Sequence, residues 1–141
     1  MRTNRLLSGT AVVLGILCAI SAFPLITGCP GEQTPIISKE TLKGKLNDSG
    51  LIVIDVRTGS AWEKCDTKIS GARRENPEKV NMWMGSYPKE NTIVVYCSCD
   101  KDATSKRVAN QLLEGGFKNV YALSGGWKEW IEADFPTEKK S

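Results

Sequence analysis

Leu51-Ile52-Val53-Ile54-Asp55-Val56 is an almost unbroken β-branched, apolar run. A strand with one wet face alternates apolar and polar residues; this one does not, so it reads as a strand buried on both faces. Ile93-Val94-Val95-Tyr96 repeats the pattern. Strands of this kind belong to parallel sheets covered by helices on both sides, because each parallel connection has room for a crossover helix. The chain is therefore predicted to be α/β, with ligands bound beyond the carboxyl ends of the strands.

The segments around these runs fit that scheme. Ser38 is placed to cap a helix through Leu42 and Leu46, which Asn47-Asp48-Ser49-Gly50 ends with turn residues. After the first strand come a helical turn around Ala61-Trp62-Glu63, a loop to Gly71-Ala72, and a helix from near Pro77 carrying Val80, Trp83 and Met84. Ala103 to Glu114 has helical spacing, with Val108 four before Leu112 and Ala109 four before Leu113, and Gly115-Gly116 stops it. A short strand is expected at Asn119 to Ala122, and Ser124-Gly125-Gly126 turns the chain into a last helix bearing Trp127, Trp130 and Ile131.

The amino end has a different character. Arg2 and Arg5 precede an apolar stretch from Leu6 to Ile26 that Gly15 and Pro24 interrupt, and it stops at Thr27-Gly28-Cys29. A basic start, an apolar middle and small residues before a cysteine resemble a bacterial lipoprotein signal peptide over residues 1–28, with Cys29 as the lipidated residue. An uncleaved anchor would need about 20 apolar residues to span a bilayer, and the breaks favour cleavage. Residues 29–37, with Pro30 and Pro35, read as a lipid-anchored spacer, and residues 38–141 as the domain. The expected location is the cell envelope, on the periplasmic or extracytoplasmic face, held to the membrane through lipid on Cys29.

Charge and cysteines narrow the functional classes. Lys and Arg number 19 against 16 Asp and Glu, and two of the 19, Arg2 and Arg5, lie in the leader. What remains is close to neutral, without the clustered basic face that a nucleic-acid partner requires. There is no histidine, which excludes a Cys/His zinc site and a Cys/His dyad. Of five cysteines, Cys18 and Cys29 belong to the leader and lipidation site, leaving Cys65, Cys97 and Cys99. An odd number in an oxidising compartment leaves at least one free thiol.

Cys97 ends a buried strand, and Ser98, Cys99, Asp100, Lys101, Asp102 and Ala103 lead from it into the amino end of a helix. Loop amides and the helix dipole are expected to converge on the Cys97 sulfur, a setting that lowers a thiol pKa from about 8.5 to roughly 3.5–7.5. The same cradle would hold a persulfide anion. Cys99 and Cys65 are the candidate redox partners of Cys97, the first against the bland reading that it shapes the loop, the second against that of a space-filling loop residue. Trp127 and Trp130 read as core residues.

Asp55-Val56-Arg57, Ile69-Ser70-Gly71-Ala72, Val95-Tyr96-Cys97 and Leu123-Ser124-Gly125-Gly126-Trp127 resemble, in order and spacing, the successive landmarks of the rhodanese family. The resemblance covers about Ser38 to Pro136. It implies a five-stranded, mainly parallel sheet with helices on both faces. It also implies that Cys97 takes sulfane sulfur from a small donor (a persulfide, polysulfide or thiosulfate) and passes it to a thiol acceptor, with no metal or organic cofactor. Residues 98–103 match the substrate loop, and Asp55 and Arg57 match supporting residues that tie loops together.

The sequence departs from that pattern in three places. Lys68 stands where a histidine often precedes the Ile-x-Gly-Ala motif, the stretch from Arg57 to Ile69 is slightly long, and Asp102 occupies the sixth loop position, where arginine or lysine is common. A carboxylate there, with Asp100 nearby and only Lys101 to offset it, should repel dianionic thiosulfate. The missing arginine also argues against related loop phosphatases and arsenate reductases, which must hold a tetrahedral oxyanion. Two rival readings stay open: a non-catalytic module that presents the loop to a partner, and a thiol redox protein.

Overall fold

A computed structural model describes residues 33–140. The expected signal peptide, Cys29 and the start of the spacer lie outside the described residues. Among the described residues, no helix is long and apolar enough to cross a membrane.

The two buried runs form β2, Leu51–Asp55, and β5, Thr92–Tyr96. They pair in parallel, Ile54 beside Val95 and Asp55 beside Tyr96. On the other side of β5 lies β6, Asn119–Leu123, also parallel. Two-residue strands complete the sheet: β1, Ile36–Ile37, against β6, and β4, Arg73–Arg74, against β2. The order is β1-β6-β5-β2-β4, a five-stranded parallel sheet with β5 at its centre, as the resemblance implied.

Side chains alternate across this sheet and divide the core in two. Ile54, Val56, Ile93, Val95 and Cys97 face α4, Ala103–Glu114, and α3, Val80–Trp83. Val53, Val94 and Tyr96 face α1, Lys39–Lys45, and α5, Gly126–Glu132. Ser38 caps α1 through its hydroxyl, which accepts the Thr41 amide at 3.2 Å. A single turn, α2, Gly59–Glu63, follows β2.

Four short strands depart from the sequence reading. Ile36 and Ile37, assigned to the spacer, form the sheet edge, and the Pro35 carbonyl accepts the Ala122 amide at 2.9 Å. The expected loop after α2 contains β3, Thr67–Ile69, which pairs antiparallel with β7, Thr137–Lys139, in a separate ribbon, and β4 follows directly after that loop. Lys68 sits on that ribbon, 3.2 Å from Glu138. The helix expected near Pro77 starts only at Val80, because the Asn76 side chain accepts the Glu78 amide at 2.9 Å and holds the chain in a turn.

Candidate active site

Cys97 follows the last residue of the central strand and is 1% exposed. The alternation of β5 turns it to the α4 side, where its sulfur lies 3.6 Å from Ser105 Oγ. The Ser105 hydroxyl donates to the Asp102 carbonyl at 2.9 Å, so it bridges the loop and the buried sulfur. The Cys97 carbonyl accepts the Trp127 amide at 2.8 Å. That contact needs Gly126, which has φ +47°: a Cβ there would stand 2.2 Å from the Cys97 oxygen.

The loop from Ser98 to Asp102 closes tightly. Lys101 and Asp102 both adopt left-handed backbone, φ 56° each, the conformation that places Asp102 as the residue before α4. Left-handed backbone costs an ordinary L-residue roughly 1–2 kcal/mol, so two in succession persist only where the surroundings impose them. Here the Lys101 carbonyl accepts Lys106 Nζ at 2.9 Å and the Asp102 carbonyl is held by Ser105.

This turn brings the two loop cysteines together. Cys97 and Cys99 are paired as a disulfide, with Cα atoms 5.7 Å apart. The sulfur that receives a helix amide is that of Cys99, from Thr104 N–H at 3.3 Å, rather than that of Cys97. After the double left-handed turn, one amide of the first turn of α4, that of Thr104, meets the Cys99 sulfur.

Asp102 borders the mouth of the site, with most of its side chain turned inward. It is 8% exposed, and its carboxylate accepts the Gly125 amide at 3.1 Å, tying the cysteine loop to the turn before α5. Above the loop lies an open depression of about 380 Å³, bordered by Ser98, Cys99, Lys101, Asp102, Ser124, Gly125, Lys128, Glu129 and Glu132. Cys99 lines it, and Cys97 lies beneath.

Asp55 and Arg57 are fully buried on the opposite face of the sheet from the Cys97 sulfur. Arg57 Nε donates to both Asp55 oxygens at 3.1 and 2.9 Å, and Nη2 reaches Asp55 at 2.7 Å and the Thr67 carbonyl at 3.0 Å. The guanidinium lies 4.3 Å from the Trp127 ring centre and 5.0 Å from that of Trp62. The Tyr96 hydroxyl donates to Asp55 at 2.5 Å and accepts the Ile69 amide at 3.2 Å. Burial, and then the Asp55 charge, push the Tyr96 hydroxyl above its ordinary pKa. The group acts as a brace beneath β5 and touches no part of the loop mouth. Cys65 is a partly buried free thiol against this same face, and the structure does not bring it to Cys97 or Cys99.

Sequence reasoning passed over Ser105, Thr104 and Tyr96 as site residues. The signal for Ser105 was available, since a polar residue on the inward stripe of α4 requires a buried partner.

A fold of this topology, with a cysteine at the carboxyl end of the central strand and a five-residue loop, Ser98 to Asp102, leading into a helix, defines a class. The model of the rhodanese-like domain matches residues 38–133, and the chain belongs to that family. Among curated relatives, thiosulfate sulfurtransferase GlpE of Coxiella burnetii is 33% identical over 87 residues, covering 62% of this chain and 77% of that protein. The protein of the same name from Shewanella oneidensis is 32% identical over 82 residues, 58% of this chain and 77% of that protein. Among solved structures, the rhodanese-like domain of Alr3790 from Anabaena sp. superposes with TM-score 0.64 at 29% identity, over 75% of this chain and 80% of that one.

Proposed function

We propose that this domain is a sulfurtransferase that carries sulfane sulfur as a persulfide on Cys97. The observation that carries the reading is the placement of Cys97 at the carboxyl end of β5, under the loop that opens α4, with a hydroxyl beside its sulfur. With the cysteines reduced, the Cys97 thiolate attacks the outer sulfur of the donor. The bond to the donor breaks, the donor leaves with the electron pair, and the Cys97 persulfide remains. An acceptor thiolate then takes the outer sulfur and frees Cys97.

The curated relatives are named for thiosulfate, which supports sulfur transfer here. We assign thiosulfate the place of a weak donor, behind persulfides and polysulfides, because Asp102 puts a carboxylate where an anion would approach. The expected setting is the cell envelope, with the chain anchored through lipid on Cys29. Metabolic labelling with a fatty acid should mark the wild type and not Cys29→Ser; equal labelling ends the anchoring proposal.

Intact-mass analysis after brief polysulfide treatment of the reduced protein tests the sulfur chemistry. Cys97→Ser should abolish sulfur uptake at the loop, and undiminished uptake there removes Cys97 from the carrier role. The paired loop cysteines favour a second reading, a thiol redox protein in which reduction and oxidation of Cys97 and Cys99 is the whole activity.

A further inference from the structure

We infer that Cys99 resolves the Cys97 persulfide, so that the domain reduces sulfane sulfur to sulfide and does not only hand it on. The inference rests on the proposed Cys97 persulfide. It is carried by three features of the loop: the two sulfurs are brought together, a helix amide points at Cys99 and not at Cys97, and Cys99 lines the surface depression while Cys97 is buried.

The attacking species in disulfide chemistry is the thiolate, and the Thr104 N–H at 3.3 Å, at the amino end of a 12-residue helix, stabilises that form on Cys99. The persulfide's inner sulfur is Cys97 Sγ, the atom the loop already brings Cys99 against. Cys99 thiolate attacks it, and a bond forms between the two cysteine sulfurs. The bond from Cys97 Sγ to the outer sulfur breaks, and that sulfur leaves with the electron pair as hydrosulfide, taking one proton. The two cysteines are oxidised to a disulfide, and the sulfane sulfur is reduced by the same two electrons. Hydrosulfide escapes into the depression, whose border carries Lys101 and Lys128 beside the carboxylates of Asp102, Glu129 and Glu132.

One round needs no further reductant. A second round needs a dithiol, either a protein dithiol or a small synthetic one, to reduce the Cys97–Cys99 disulfide. Its first thiolate must attack Cys99, the sulfur that faces the depression, and Cys97 departs as the thiolate that takes the next sulfur. The arrangement is that of a peroxidatic and a resolving cysteine, applied to sulfur in place of oxygen.

The test uses the full chain, reduced, freed of reductant and kept without oxygen. An aryl thiosulfonate is the donor, because its outer sulfur transfers with loss of a sulfinate. Sulfinate therefore counts loading and sulfide counts resolution. Trypsin cleaves after Lys89 and Lys101, so peptide 90–101 holds both loop cysteines and neither Cys65 nor Cys29. In the wild type, sulfide should match sulfinate, and peptide 90–101 should lose two hydrogens. In Cys99→Ser, sulfinate should appear without sulfide, and the peptide should gain one sulfur.

A wild-type peptide that keeps the extra sulfur beside a free Cys99 thiol overturns the inference and leaves the carrier reading intact. No sulfinate from the wild type, or as much from Cys97→Ser as from the wild type, overturns the carrier reading and the inference with it.

Discussion

At Asp102 a single side chain meets two demands. Its backbone is left-handed, which aspartate and asparagine tolerate better than most residues, and its carboxylate accepts the Gly125 amide. Asparagine satisfies both requirements through its carbonyl oxygen, so Asp102→Asn isolates the charge. Removing one negative charge a few ångströms from an incoming dianion is worth ~1 kcal/mol at the dielectric of a protein surface. That corresponds to about a fivefold rise in kcat/KM with thiosulfate, while a neutral organic trisulfide should be used at an unchanged rate. Equal rates with thiosulfate before and after the change would mean that the Gly125 amide already neutralises the carboxylate, and Asp102 would then be a loop anchor only.

At the scale of elements, α5 is docked against the end of β5 through Gly126, and the dimensions there permit no side chain. Gly126→Ala combines a left-handed backbone with a Cβ 2.2 Å from the Cys97 oxygen, whereas Gly71, at φ +75°, has open space around it. Gly71→Ala should therefore cost about 1 kcal/mol, the left-handed penalty alone. Gly126→Ala should cost roughly 3 kcal/mol and slow persulfide loading, because the Cys97 carbonyl must move. Urea unfolding of both variants measures the difference; equal losses would mean that α5 can shift without disturbing the loop. The same scale explains what the sequence could reveal. β2, β5 and α4 were legible because a five-residue, mostly apolar run, or twelve residues of helical period, leaves a pattern. β1, β3, β4 and β7 have two or three residues each, too few to show any period, and exist because longer neighbours offer them an edge. Cys97 was legible from its place after a buried run. Which cysteine receives the helix amide was not, because it depends on two left-handed residues that are neither glycine nor asparagine.

Across the whole molecule, the two buried phenols make stability depend on pH in the alkaline range. Tyr87 is 7% exposed and donates to Glu75 at 2.7 Å, and burial, followed by that hydrogen bond and the Glu75 charge, pushes its pKa up to about 12. Tyr96, braced against Asp55, is displaced in the same direction. For a phenol, a raised pKa means that the folded state keeps its proton where the unfolded chain, with a pKa of about 10, has lost it. The stabilisation is fully present below pH 10 and is lost as pH rises from there through 12, because each increment favours the chain that releases the proton. Tyr87→Phe removes one such group while keeping the ring that packs edge-on against Trp83. At pH 9 the variant should be less stable by about 1 kcal/mol, for the lost hydrogen bond. Between pH 10 and 11.5 the wild type should fall more steeply and the gap should close. Urea midpoints of the two proteins over that range decide the matter: a gap that stays constant would mean that Tyr87 ionises in the folded protein as readily as in the unfolded one, and that its hydroxyl is not held by Glu75.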